Sequence, residues 1–82
     1  MKTLVIGLQG IEDKEIIVKS VFPHASRINF RTRIDKDSQL ETNDLVVRFE
    51  QEEKNIFSVY SIKDRFYGFR GFYQKYEHNF AR

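Results

Sequence analysis

The chain has no cysteine, a single proline, four glycines and no apolar run of bilayer length. Each shortage removes something. Without thiols there is no disulfide, no thiolate nucleophile and no cysteine-bound zinc, and the redox compartment stays open. A membrane span needs about 20 consecutive apolar residues, so no membrane partner is expected. No signal-peptide pattern opens the chain, and the expected location is cytoplasmic. Its 82 residues have room for one core, read as a single small α/β domain over 1–82. What is present is charge and rings. Charged residues make up 32%, aromatics 15% and hydrophobics 40%, a globular and not a disordered composition.

The formal net charge of +2 conceals segregation. Residues 1–23 balance, with Lys2, Lys14 and Lys19 against Glu12, Asp13 and Glu15. Residues 24–36 set Arg27, Arg31, Arg33 and Lys36 against Asp35 alone. The next block is acidic, with Arg48 against Asp37, Glu41, Asp44, Glu50, Glu52 and Glu53, and residues 54–82 are again basic. Blocks of this kind give local fields, so a partner would meet one face.

Periodicity gives a coarse organisation. Residues 3–8 are β-branched and apolar and read as a buried strand. Glu12, Asp13 and Glu15 crowd a helix start, where the macrodipole favours acids. Val18, Val21, Phe22 and Ala25 form the packing stripe of that helix, and Pro23 ends it near Phe22. Over residues 26–34, Ile28, Phe30, Thr32 and Ile34 alternate with Arg27, Asn29, Arg31 and Arg33, the signature of a strand with one wet face. The polar stretch 35–43 suits a hairpin loop, and Leu45, Val47 and Phe49 a third strand antiparallel to the second. Glu50 to Lys54 then read as the acidic opening of a second helix running to about Asp64, with a fourth strand over 70–76.

An alternative exists for the C-terminal half. Val59, Ile62, Phe66, Phe69, Tyr73, Tyr76 and Phe80 keep a heptad-like spacing, giving a three-stranded βαββα form with one long helix. Over residues 52–80 that helix would be about 43 Å long. A compact chain of this size has a radius of gyration of roughly 12 Å, and Gly68 and Gly71 each weaken a helix by about 1 kcal/mol. The four-strand reading is therefore preferred.

Strand, helix, strand, hairpin, strand, helix, strand is the βαββαβ order of a ferredoxin-like α+β sandwich, an antiparallel four-stranded sheet with two helices on one face. The stretches KTLVIGLQGIEDKEIIVKSVF, LVVRFEQEEKNIFSVYSI and YGFRGFYQKYE resemble the first strand and helix, the third strand and second helix, and the last turn and strand of an RNA-recognition-motif domain. The resemblance implies a sheet face turned toward single-stranded RNA. Members that stack bases there use aromatics of the first and third strands. Here those positions correspond to Val5, Asp44 and Val46, with Thr42 where a basic residue would open the motif. Such a sheet forgoes about 1–3 kcal/mol per stacked base.

The constellation with most chemistry is the wet side of the second strand. Arg27, Arg31 and Arg33, joined by Arg48, offer bidentate donors matched to phosphate or carboxylate oxygens; Lys36 and Arg70 would assist. The bland reading is a solvated face whose arginines pair with Glu41, Glu50 or a C-terminal carboxylate. A second constellation is the aromatic C-terminal half. Phe66, Phe69, Phe72, Tyr73, Tyr76 and Phe80 are expected in core and protein interface, with a homodimer as one outcome. Gly7-Leu8-Gln9-Gly10 matches no phosphate-loop pattern and reads as turn chemistry. His24 and His78 make no metal or triad spacing, so neither a catalytic residue nor a metal or other cofactor is expected. Two functions follow from this reading. The first is a non-enzymatic domain binding nucleic-acid backbone, single-stranded RNA, through its arginines. The second is a protein-interaction module, an inhibitor or adaptor, presenting acidic loop 37–44 or its aromatic half.

Overall fold

The computed structural model describes residues 1–54, 56–64 and 74–79. The element order is β1 (Lys2–Ile6), α1 (Lys14–Val21), β2 (Ser26–Arg31), α2 (Asp37–Glu41), β3 (Leu45–Glu53), β4 (Ile56–Asp64) and β5 (Gln74–Asn79). The strands form one sheet ordered β2-β1-β3-β4-β5. β1 runs parallel to both of its neighbours, whereas β3, β4 and β5 form an antiparallel meander. The α+β class holds. The expected antiparallel sheet gives way to a mixed one, because β1 lies between β2 and β3 and keeps the two from pairing.

Connection rules explain where the helices sit. The chain steps from β1 to β2 in one direction, then reverses across β1 to reach β3. Right-handed crossovers that reverse direction place their connections on opposite faces. Accordingly α1 packs Ile17 and Val18 into a cluster with Val5, Leu45, Val47, Phe49, Phe57 and Val59. On the other side Leu40 of α2 packs with Leu4, Ile6 and Val46, joined by Ile34 and Ile62. β1 is buried from both sides, with Thr3 to Ile6 all in the interior, as a central parallel strand requires.

α1 ends where the sequence places its end. The Phe22 N–H donates to Val18 O at 2.8 Å, and Pro23 cannot extend the ladder. The polar stretch 35–43 forms a short helix instead of a hairpin loop. Gln39 Oε1 accepts the Asp35 and Lys36 N–H groups at 2.6 and 2.9 Å, bracing the first turn. At the far end Thr42 Oγ1 donates to Ser38 O and Asn43 Nδ2 to Gln39 O, both at 2.7 Å.

The largest correction concerns the expected second helix: residues 50–53 continue β3 and residues 56–64 form β4. Both the second-helix reading and the long C-terminal helix over 52–80 fail at this point. β3 and β4 pair from Leu45↔Asp64 to Glu53↔Ile56. Phe49 and Phe57 meet edge to face, with centroids 6.4 Å apart and planes at 71°. The last described strand spans 74–79 and pairs with β4 from Ile56↔Asn79 to Ser61↔Gln74; it overlaps the expected 70–76, of which residues 70–73 lie outside the described residues.

Candidate functional site

Strands wound in the order of β2, β1 and β3 open a ligand crevice at the carboxyl ends of the strands, beside the switch of direction. Gly7, at φ +103°, follows β1 and lies so close to β3 that a Cβ would collide with the Phe49 carbonyl. Leu8 is buried in the α1-side core. The Gly7–Gly10 stretch therefore does packing work, in line with its reading as a turn. Among the described residues no three His, Asp or Glu side chains gather as a metal site would need. No described helix is long and apolar enough to cross a membrane.

The arginines divide into separate situations. In the strand register Arg31 of β2 aligns with Ile6 of β1, Ile6 with Arg48 of β3, and Arg48 with Tyr60 of β4. Arg31 and Arg48 thus share the α2 side of the sheet, as expected. They stand two strand spacings apart, about 10 Å, with buried Ile6 between them. Arg48 lies 4.9 Å above the Tyr60 ring. Its Nε is 3.2 Å from Glu50 Oε1, an ion-pair separation without hydrogen-bond alignment. Arg33 lies beyond the end of β2 and donates from Nε to Asp35 Oδ1 at 2.7 Å. Both pairs are solvent-accessible, each contributing at most about 1 kcal/mol. Lys36 is exposed at the start of α2. Ile34, expected to continue the buried face of Ile28 and Phe30, packs in the opposite cluster because the strand has already ended at Arg31.

Arg27 has a different origin. Lys2 aligns with Ser26 and Thr3 with Ile28, so Arg27 is the extra residue of a bulge, at φ +48°. A non-glycine residue in that region is strained. The four guanidiniums therefore do not assemble into the single plate that strict alternation over 26–34 implies. Arg70 lies outside the described residues, as do Phe66, Phe69, Phe72, Tyr73 and Phe80. Tyr76 is placed by its backbone in β5, paired with Val59. The acidic stretch 37–44 is partly consumed by the fold. Asp44 Oδ2 accepts the Lys2 N–H at 3.1 Å, and Asn43 is buried.

The feature that sequence reasoning missed is the rim of the sheet. β2 stands at one end of the strand order, with no strand beyond it among the described residues. The Arg31 carbonyl accepts the Gly7 N–H at 3.4 Å, which turns Arg31 and, by alternation, Asn29 toward β1. Ile28 and Phe30 consequently direct their backbone N–H and C=O groups outward. One of these groups is already met, because Arg31 Nη1 donates to the Phe30 carbonyl at 2.8 Å. The side chains of Ile28 and Phe30 are half-buried against the α1-side core, and the Lys14 ammonium lies 4.6 Å from the Phe30 ring centroid. A visible signal was Arg at alternate positions of one strand, a pattern by which edges are guarded.

No protein-family model matches the chain, and neither a curated protein nor a solved structure is similar enough to count as a match.

Proposed function

We propose that the protein is a small non-enzymatic protein-interaction module, an adaptor or inhibitor in character, whose working surface is the β2 rim. The observation that carries this reading is the outward-facing backbone of Ile28 and Phe30. Unpaired strand edges recruit other chains, and charged or capped edges are how a protein keeps that recruitment selective. The surface combines backbone donors and acceptors, half-buried apolar side chains and flanking cations, a set that matches polypeptide more fully than it matches a polyphosphate.

Nucleic-acid backbone binding is the second reading. Arg31 favours it, being exposed and meeting no carboxylate among the described residues. Arg33 and Arg48 weigh against it, since each already has an acidic neighbour. The test is capture from an extract of the native host, with and without nuclease, using the whole protein and a version N-methylated at the Phe30 amide. Methylation removes the outward donor and leaves every side chain in place. A protein retained after nuclease and lost on methylation supports the module. Capture abolished by nuclease, with oligouridylate affinity falling by about 0.7 log units per contacted phosphate for each log unit of salt, replaces it with the nucleic-acid reading.

A further inference from the structure

Cations stand on both faces of the sheet at the β2 rim, Arg31 on the α2 side and Lys14 on the α1 side. Arg27 and Arg31 flank the regular part of β2, Arg33 follows its end, and Lys14 reaches over Phe30 from α1. A second copy of this chain is a poor occupant. Antiparallel pairing of β2 with itself, centred on Asn29, would bring each Ile28 opposite a Phe30 and satisfy their outward groups. The same register sets Arg27 opposite Arg31 twice, and like charges directly opposed on a sheet are destabilising.

We propose that the β2 rim takes an extended, acid-bearing segment of another protein, added as an outer strand, with Arg31 as the gate. This inference rests on the protein-interaction reading above and adds the chemistry of the partner. In the free protein Arg31 Nη1 holds the Phe30 carbonyl, which removes one of the four outward groups of Ile28 and Phe30 from the edge. An incoming carboxylate offers that guanidinium a charge-assisted, bidentate partner in place of a single neutral carbonyl. Arg31 then turns onto the carboxylate, and the Phe30 carbonyl is free to accept an N–H from the added strand. A neutral or basic segment offers no such exchange and meets a capped edge. Selectivity for acidic segments therefore arises from a side chain that also protects the rim from indiscriminate pairing.

The test uses the full chain and two capped eight-residue peptides, one alternating valine with glutamate and one alternating valine with lysine. Amide hydrogen exchange is read at Ile28 and Phe30, and affinity is read by titration. The glutamate peptide is expected to slow exchange at both amides at least tenfold and to bind at least tenfold more tightly than the lysine peptide. Arg31→Ala is expected to remove that preference while both peptides still protect the Ile28 and Phe30 amides. Equal protection by the two peptides with the native chain would overturn the acidic partner and leave the interaction edge standing. Binding without protection of either amide, or no binding of either peptide, would overturn the strand-adding edge itself. Self-association that slows exchange at these amides before any peptide is added would assign the rim to a second copy. Displacement of the glutamate peptide by oligouridylate, with shifts confined to Arg31 and Arg48, would assign it to nucleic acid.

Discussion

The two faces of the sheet are built to different standards. On the α1 side, ten buried residues from β1, the loop after it, α1, the loop before β2, β3 and β4 form one cluster around Phe49. On the α2 side the buried set shrinks to Leu4, Ile6 and Val46, covered by a five-residue helix and by partly exposed Ile34, Leu40 and Ile62. Around that small patch stand Arg31, Arg48 and Lys63, each occupied with a neighbour, Lys63 through a hydrogen bond to Leu40 O. One face supplies stability through burial; the other holds long cationic side chains in place with local partners. The contrast teaches that the chain concentrates its packing energy where no partner is needed, and leaves its exchangeable contacts on the side that leads to the rim.

Three substitutions bear on that contrast. Phe49→Ala removes a fully buried ring and its edge-to-face partner. It is expected to cost about 3–5 kcal/mol, read as a large fall in urea midpoint or loss of folding. Leu40→Ala truncates the half-exposed cover of the other face and is expected to cost only about 1–2 kcal/mol. Equal losses for the two would erase the distinction between the faces. The smallest effect has the opposite sign. Arg27→Gly relieves a positive φ that an L side chain resists, at the expense of extra freedom in the unfolded chain. The net expectation is a gain of about 0.5 kcal/mol, and a lower urea midpoint for that variant would show the bulge to be unstrained.

Much of the α1 side was legible in the sequence because burial there is periodic. Ile28 and Phe30 alternate with Arg27, Asn29 and Arg31, and the structure puts the apolar pair inward. The stripe through Val18 and Phe22 likewise marks a real helix. Residues 50–64 were misread for a physical reason. Glu50, Glu52 and Glu53 satisfy the preference for acids in a first helical turn, and Val59 and Ile62 are three apart. The competing period of two, with Phe57 and Val59 in the α1-side core, is blurred by Ser58, which is buried between them, and by a register shift opposite Val46 and Val47. Ile62, next after Ser61, falls by plain alternation on the opposite face and joins its cluster, and the shift sets Lys63 opposite Val46. The order of strands was less accessible. Nothing local reveals that β1 separates β2 from β3, since that depends on which face each crossover covers. The four arginines that looked like one surface separate into an edge residue (Arg31), a ring-stacked one (Arg48), an ion-paired one beyond the strand (Arg33) and a bulge (Arg27).

The bulge at Arg27 also limits how long any visitor stays. Regular edge geometry begins only at Ile28 and ends at Arg31, a strip of about 13 Å at roughly 3.3 Å per residue. Four outward backbone groups, at about 1 kcal/mol net for each hydrogen bond, cannot by themselves offset the entropy of association. An occupant held by this strip and a few carboxylates would bind on the order of micromolar or weaker. Such an association turns over quickly, so the rim suits repeated sampling of partners in preference to permanent assembly.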